Sequence, residues 1–555
     1  MTATFHPSVD LFTTLHDRFG HGGFRPGQEQ VVSAVLSGRD VLAVMPTGSG
    51  KSLGYQLPAL ILPGTTLVVS PLISLMKDQV DELNRRGIPA GALHSMLSPE
   101  SRRAVLDAAR AGRLRLLYVA PERFASDQFT RLLGGLVVAR FVIDEAHCVS
   151  EWGHDFRPDY RRLKGAAAAC RTTEGRARPP IAAFTATATS EVRDDIVALL
   201  GLESPQVLVA GFDRPNIFLR VERVQVEEEK HERLPRLVRG RRALVYAATR
   251  RSTEAAAATL EAAGIQAAAY HAGLKDAERT RVQDAFAAGS LSVVCATNAF
   301  GMGIDRPDVD AVVHFAIAGS VEAYYQEIGR AGRDGRDATA TLLWDYADVS
   351  TRQFLIDSPR KEKPGAVAVD PAEIARRKEI EHSKLRRMIA YAETGECLRA
   401  TILRYFGDPA ALDCCRSCGN CRPRALDAYD REIVRKILAG IARAGERYGR
   451  RRIVAMLVGD TADLPASLAG LPVAGSLRHE GLEALNGWIG SAVAAGLIAL
   501  SQDHYRTLRL TPRGREVMCG RVENLELDAP ARASILPRWR ESHWERRRRR
   551  ALDPL

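Results

Sequence analysis

Three groups of residues in this chain have types and spacings suited to phosphate chemistry. The first is Thr47-Gly48-Ser49-Gly50-Lys51-Ser52, a glycine-rich turn that follows the apolar run at 40–45. Backbone N–H groups of such a turn cradle phosphates, Lys51 reaches the β and γ phosphates, and the Ser52 hydroxyl holds Mg²⁺. Met45 stands where the strict pattern has glycine, but the Gly-x-Gly-Lys-Ser core and its strand–helix setting are intact. The second group is Asp144-Glu145, directly after Phe141-Val142-Ile143. Asp144 would share Mg²⁺ with Ser52, and Glu145 would orient or deprotonate an attacking water. An adjacent Asp-Glu is more often a solvated surface pair. Its place at a strand end downstream of a phosphate turn favours catalysis. The third group, Gln326, Arg330 and Arg333, lies in "YYQEIGRAGRDG". An arginine delivered from a second domain onto the γ-phosphate contributes about 10³–10⁵ in rate. Arginines on a helix are usually just solvated, but the Gly-Arg-Ala-Gly-Arg spacing is too particular for that.

These groups need rigid elements to hold them. Strand-like runs at 40–45, 65–70, 115–120, 140–144 and 181–187 form one series, and those at 242–247, 266–271, 291–296, 310–315 and 340–344 form another. Helical stretches such as "SEVRDDIVALLG" separate them. The alternation predicts two consecutive parallel α/β domains, with the charged stretch 220–235 as the joint. After 356 comes a Pro- and charge-rich linker, then a helical stretch to about 395. From about 425 a small helical region ends in two short strands, and Thr511-Pro512 opens a further helix. Helices followed by a hairpin fit a winged helix. The Arg-rich tail beyond 525 reads as disordered.

At 555 residues the chain is too long for one hydrophobic core. A net charge of +11 favours a polyanionic partner. The N-terminal stretch is broken by His6, Asp10, His16 and Asp17 and does not resemble a signal peptide. No stretch approaches the roughly 18 apolar residues of a membrane span, and a cytoplasmic protein with no membrane partner is expected. Of nine cysteines, Cys397, Cys414, Cys415, Cys418 and Cys421 cluster, which in a cytosolic chain reads as metal binding.

The ordered set "FRPGQEQ", "TGSGKS", "VSPLISLMKDQ", "APERF", "DEAHC", "SEWGHDFRPDY", "FTATAT", "ATNAFGMGIDRPDV" and "YYQEIGRAGRDG" resembles the RecQ family of superfamily 2 DNA helicases over roughly residues 10 to 520. The resemblance implies an α/β fold of two tandem RecA-like parallel-sheet domains followed by a zinc-binding module and a winged helix. The boundaries would be 1–220, 221–356, 357–424 and 425–525, with a basic tail at 526–555. It implies an ATP- and Mg²⁺-dependent helicase moving 3′ to 5′ on single-stranded and forked duplex DNA, in recombination, repair or replication.

Trp152, His154, Phe156 and Arg157 resemble the family's aromatic-rich loop, which couples single-stranded DNA to the ATP site. Base–aromatic stacking contributes about 1–3 kcal/mol per base irrespective of sequence. A loop tied directly to Asp144 and Glu145 can move them when a base docks. The aromatics could instead pack a core corner, but the intervening Gly, His, Asp and Arg suit that poorly. In "FGHGGFRPGQEQ", Gln28 would hydrogen-bond adenine and Arg25 would stack on it, with His21 where the family often has Tyr. Thr185 and Thr187 would link hydrolysis to unwinding, and Asp305 would link the ATP and DNA sites. Cys397, Cys415, Cys418 and Cys421 match the family's tetrahedral Zn²⁺ site, with Cys414 an extra candidate. Two other readings are an RNA helicase and a DNA-binding regulator with a vestigial ATPase.

Overall fold

The computed structural model describes residues 10–527, apart from 154, 173–174, 225, 298–305, 359–369, 409, 411–412, 422–423, 427, 461–463, 502–506 and 523–524. His154, Asp305 and the basic tail from 528 therefore lie outside the described residues. The chain divides into two compact units, Met1–Ala392 with Arg399–Asp413 and Glu393–Leu398 with Cys414–Leu555.

The first unit contains two parallel sheets. The strands of one are β1 (Val41–Val44), β2 (Thr65–Val69), β3 (Ala90–Leu93), β4 (Leu116–Val119), β5 (Val137–Ile143), β6 (Arg171–Thr172), β7 (Ile181–Thr185) and β8 (Gln206–Val209). They are ordered β3-β4-β2-β5-β7-β1-β8, with β6 paired to β5. Every residue of β1, β2, β4 and β7 is buried. Parallel strands covered by helices on both faces read as continuous apolar runs for this reason. Edge strand β8 alternates half-buried and exposed residues, a weaker pattern.

The second sheet comprises β9 (Ile217–Arg223), β10 (Ala243–Tyr246), β11 (Ala267–Tyr270), β12 (Val293–Ala296), β13 (Ala311–His314) and β14 (Ala338–Trp344), ordered β11-β12-β10-β13-β14-β9. The stretch 220–235, read from its charge as a joint, has a different role. Residues 220–223 finish β9, which pairs with β14 along its whole length, and Glu227–Val238 is helical. Its charges are neutralised locally, since Arg233 bonds both Glu222 and Glu229 at 2.9 Å.

Helix Pro371–Glu393 buries Ile380, Lys384, Leu385 and Met388 and, up to Ala392, belongs to the first unit. In the second unit, helices Ala428–Arg443, Arg450–Val458 and Leu482–Ala494 bury a core that includes Ile433, Ile437, Ile441, Leu485, Trp488 and Ile489. Ile498–Leu500 and Leu508–Leu510 pair antiparallel. The Thr511 side chain then accepts a hydrogen bond from Gly514 N at 3.0 Å and caps helix Pro512–Met518, as its sequence predicts. No helix among the described residues is long and apolar enough to cross a membrane.

Candidate functional site

A cavity of about 820 Å³ opens beside the C-terminal ends of β1 and β5, lined from both sheets of the first unit. The glycine-rich turn supplies one wall. Gly48 and Gly50 take φ of 82° and 78°, a left-handed backbone that glycine adopts without cost. The turn delivers Lys51 and Ser52 to the start of helix Leu53–Ile61. The Thr47 and Ser49 hydroxyls are buried without a hydrogen-bond partner among the described residues. Such groups suit a phosphate ligand.

Asp144 extends the ladder beyond β5, its N–H donating to Val69 O at 2.9 Å. Burial and the neighbouring Glu145 push its carboxyl up to about 6, with Lys51 pulling the other way. Glu145 stands at φ 48°, ψ 47°, which an L residue adopts only under constraint. That turn brings Glu145 Oε1 within 3.3 Å of Lys51 Nζ and Oε2 within 3.3 Å of His147 Nδ1. Two carboxylates thus face one ammonium, and the missing positive charge fits a divalent cation held by Asp144 and Ser52.

Gln28 and Arg25, expected from the sequence to read adenine, lie against the same turn. Gln28 is buried; its Oε1 accepts from Arg25 N at 2.7 Å and its Nε2 donates to Ser49 O at 2.8 Å. Arg25 donates to Gly48 O. His21 lines the cavity, and burial together with Arg86 and Arg25 holds its pKa below the usual histidine value.

From the second sheet, helix Val321–Ile328 is capped by Ser320, and Gln326, Arg330 and Arg333 all reach the cavity. A Cβ added to Gly48 would lie 3.2 Å from Arg333 Cγ. Sequence reasoning missed the residue that joins these walls. Arg214 donates to Thr47 O at 2.7 Å and to Gly332 O at 2.8 Å, so one guanidinium spans the phosphate turn and the arginine segment. Its backbone oxygen accepts from Arg399 at 2.6 Å.

The aromatic stretch runs directly out of Asp144 and Glu145. Tyr160 Oη donates to Asp144 O at 3.0 Å, and Arg157 N donates to Cys148 O at 2.9 Å, folding the stretch back on itself. Trp152, Phe156 and Arg157 are half-buried. Arg161 and Arg377 place guanidinium carbons 5.1 and 5.0 Å from the Phe156 ring centroid. Lys384, almost wholly buried, donates to Glu151 O at 3.1 Å and Gly153 O at 2.7 Å. Neither Arg377 nor Lys384 stood out in a helix dense with basic residues. On the other side, His147 Nδ1 lies 3.0 Å from Thr185 Oγ1, which accepts from Thr187 N at 3.3 Å. The pair, the loop and "FTATAT" are thus one bonded network.

Gly153 has no room for a side chain, because a Cβ there would sit 2.2 Å from His147 O. Gly153→Ala must therefore displace the loop backbone. The expected outcome is unchanged ATP affinity with loss of most stimulation of hydrolysis by single-stranded DNA, read by titrating a fluorescent ATP analogue beside a phosphate-release assay.

In the second unit, the thiol sulfurs of Cys397, Cys415, Cys418 and Cys421 lie within 4.8 Å of one another. Tetrahedral zinc, with Zn–S near 2.3 Å, spaces its sulfurs by about 3.8 Å. Backbone N–H groups already point at two of them, Cys415 N at Cys397 Sγ (3.3 Å) and Ser417 N at Cys415 Sγ (3.4 Å). The donor set fits Zn²⁺. Cys414 is exposed and stands outside this quartet.

Family profiles match in succession: DEAD/DEAH box helicase at residues 25–195, helicase conserved C-terminal domain at 229–335, RecQ zinc-binding at 346–422 and RQC domain at 430–534. The chain is 36% identical over 521 residues to the ATP-dependent DNA helicase RecQ of Bacillus subtilis, covering 93% of this chain and 85% of that one. It is 39% identical over 538 residues to the protein of that name from Pasteurella multocida, covering 94% and 80%. Among solved structures, Mss116p bound to single-stranded RNA and AMP-PNP superposes with a TM-score of 0.52 at 16% identity, over 71% of this chain and 89% of that one. That likeness extends to the fold alone.

Proposed function

The chain belongs to the RecQ family of DNA helicases, and from that membership we propose how its residues carry out the family's reaction. It is an ATP-dependent DNA helicase. The observation that carries the proposal is the bonded network from Lys51 through Glu145 and His147 to Thr185, joined to the aromatic stretch by the Tyr160 hydroxyl on Asp144 O.

Lys51 and the N–H groups of residues 47–52 bind the triphosphate, with the free hydroxyls of Thr47 and Ser49 as further donors. Ser52 and Asp144 would hold Mg²⁺, which offsets phosphate charge when bound. Glu145 orients the attacking water and accepts its proton. Arg333 and Arg330 stabilise charge developing on the γ-phosphoryl group, with Gln326 beside them. Gln28 and Arg25 read the adenine side, and because both also bond the phosphate turn, base recognition fixes the turn's shape.

Trp152 and Phe156, with His154 and Arg157, receive single-stranded DNA. Arg377 and Lys384 position that loop while DNA is absent. Cys397, Cys415, Cys418 and Cys421 hold a structural Zn²⁺. We place the lobe boundary before Ile217, the zinc-binding module after residue 357 and the winged helix at 425–527, since Glu526–Leu527 pairs with Arg424–Ala425 and the basic tail therefore begins at 528 rather than at 526. Translocation is 3′ to 5′, in recombination, repair or replication, and the compartment is the cytoplasm.

Strand separation tests this reading. The protein should unwind a duplex bearing a 3′ single-stranded DNA tail only with ATP and Mg²⁺, and fail on the matching 5′-tailed duplex. Unwinding of the 5′-tailed substrate alone would reverse the polarity. Preference for an RNA tail would favour an RNA helicase, a reading that the relatives do not support.

A further inference from the structure

We propose that Cys414 and Cys421 form a thiol-oxidation site whose closure ejects the structural zinc; this rests on the zinc reading of the cysteine quartet. Cys414 is a fifth thiol that the metal does not need. It is exposed, whereas Cys397 and Cys418 are buried and Cys415 and Cys421 are half-buried. Its Sγ lies 3.4 Å from Cys421 Sγ, closer than the 4.0 Å between the quartet members Cys418 and Cys397. The two sulfurs need to approach by only about 1.3 Å to reach bonding distance. Of the chain's other thiols outside the quartet, Cys519 is also exposed, whereas Cys148, Cys170 and Cys295 are buried, and burial pushes the Cys170 thiol up to about 12, away from the reactive thiolate.

The chemistry needs one oxidant, a peroxide. The Cys414 sulfur attacks a peroxide oxygen, the O–O bond breaks, and Cys414 becomes a sulfenic acid with release of water. The Cys421 thiolate then attacks the Cys414 sulfur, the S–S bond forms, and the departing hydroxide takes a proton from solvent. In sum, one thiol, one thiolate, one hydrogen peroxide and one proton give a disulfide and two waters. Cys421 then no longer offers a thiolate to the metal. Three sulfurs remain, an incomplete set for a structural zinc site, which is closed by four ligands.

The test uses the full-length protein, with zinc content measured first by elemental analysis. It is then exposed to hydrogen peroxide in the presence of a chromogenic zinc chelator, beside Cys414→Ser and Cys519→Ser variants. Cys414 is exposed, so serine there leaves the fold intact, and Cys519 is a second exposed thiol serving as control. The native chain and Cys519→Ser should release zinc at least roughly tenfold faster than Cys414→Ser. Peptide mass mapping should find a Cys414–Cys421 disulfide, and dithiothreitol with added zinc should restore the metal. Equal release rates in native and Cys414→Ser protein would overturn the inference. So would retention of zinc by a chain whose Cys414 is oxidised without a disulfide. Absence of zinc from the untreated, reduced protein would instead remove the zinc reading beneath it.

Discussion

Glu145→Gln should bind ATP as well as the native chain and hydrolyse it about 10²–10⁴ times more slowly, the range spanned by losing a positioned general base. Glu145 is held in a left-handed backbone conformation at the end of β5, with one carboxylate oxygen toward Lys51 and the other toward His147. Glutamine preserves the size and one acceptor oxygen but cannot take a proton. It also releases Lys51 from its ion pair, so affinity for the triphosphate should hold or rise. Phosphate release under saturating DNA and titration of a fluorescent ATP analogue separate the two effects. Hydrolysis within about threefold of native would assign the proton to another group, since general-base loss costs far more.

Arg333→Ala should lower kcat by about 10³ or more while leaving ATP affinity within a few-fold, because an arginine finger acts on charge that develops only in the transition state. Arg333 rather than Arg330 is the stronger candidate. Its Cγ would lie 3.2 Å from a Cβ on Gly48, directly over the phosphate turn. Arg330 is buried beside Tyr246, whose hydroxyl pKa it helps to lower against a larger effect of burial. Arg214→Ala should act differently. It removes the bonds that join the two walls, so ATP affinity and turnover should fall together. Pre-steady-state phosphate release measures both variants beside Arg330→Ala. A loss at Arg330 that exceeds the loss at Arg333 would exchange the two roles.

The strongest parts of this architecture were legible in the sequence because they depend on short-range order. Short unbroken apolar runs such as Val41–Val44 and Leu116–Val119, alternating with helical stretches, fit strands buried on both faces, and the glycine-rich turn is a local structure. Thr511-Pro512 signalled its helix through the cap alone. Strand β9 was missed because Arg220, Glu222 and Arg223 give it a surface composition, and only pairing with β14 makes it a strand. Arg214 was invisible for a similar reason. Its partners are carbonyls of residues 47 and 332, and no local pattern records that approach. Lys384 looked like one more charge on a basic helix, yet its ammonium is buried against the aromatic loop. Adjacent Cys414 and Cys415 could not be separated by spacing; the fold brings Cys415 Sγ into the quartet.

DNA seated on the aromatic loop should control chemistry at Glu145, and steady-state ATP hydrolysis reads that control out. Native protein and Trp152→Ala would be assayed with and without single-stranded DNA, with DNA binding followed by fluorescence anisotropy. DNA should strongly stimulate the native chain, whereas the variant should bind DNA without being stimulated. A Trp152→Ala variant stimulated as fully as native would contradict the loop's role, and a native chain indifferent to DNA would contradict the coupling itself.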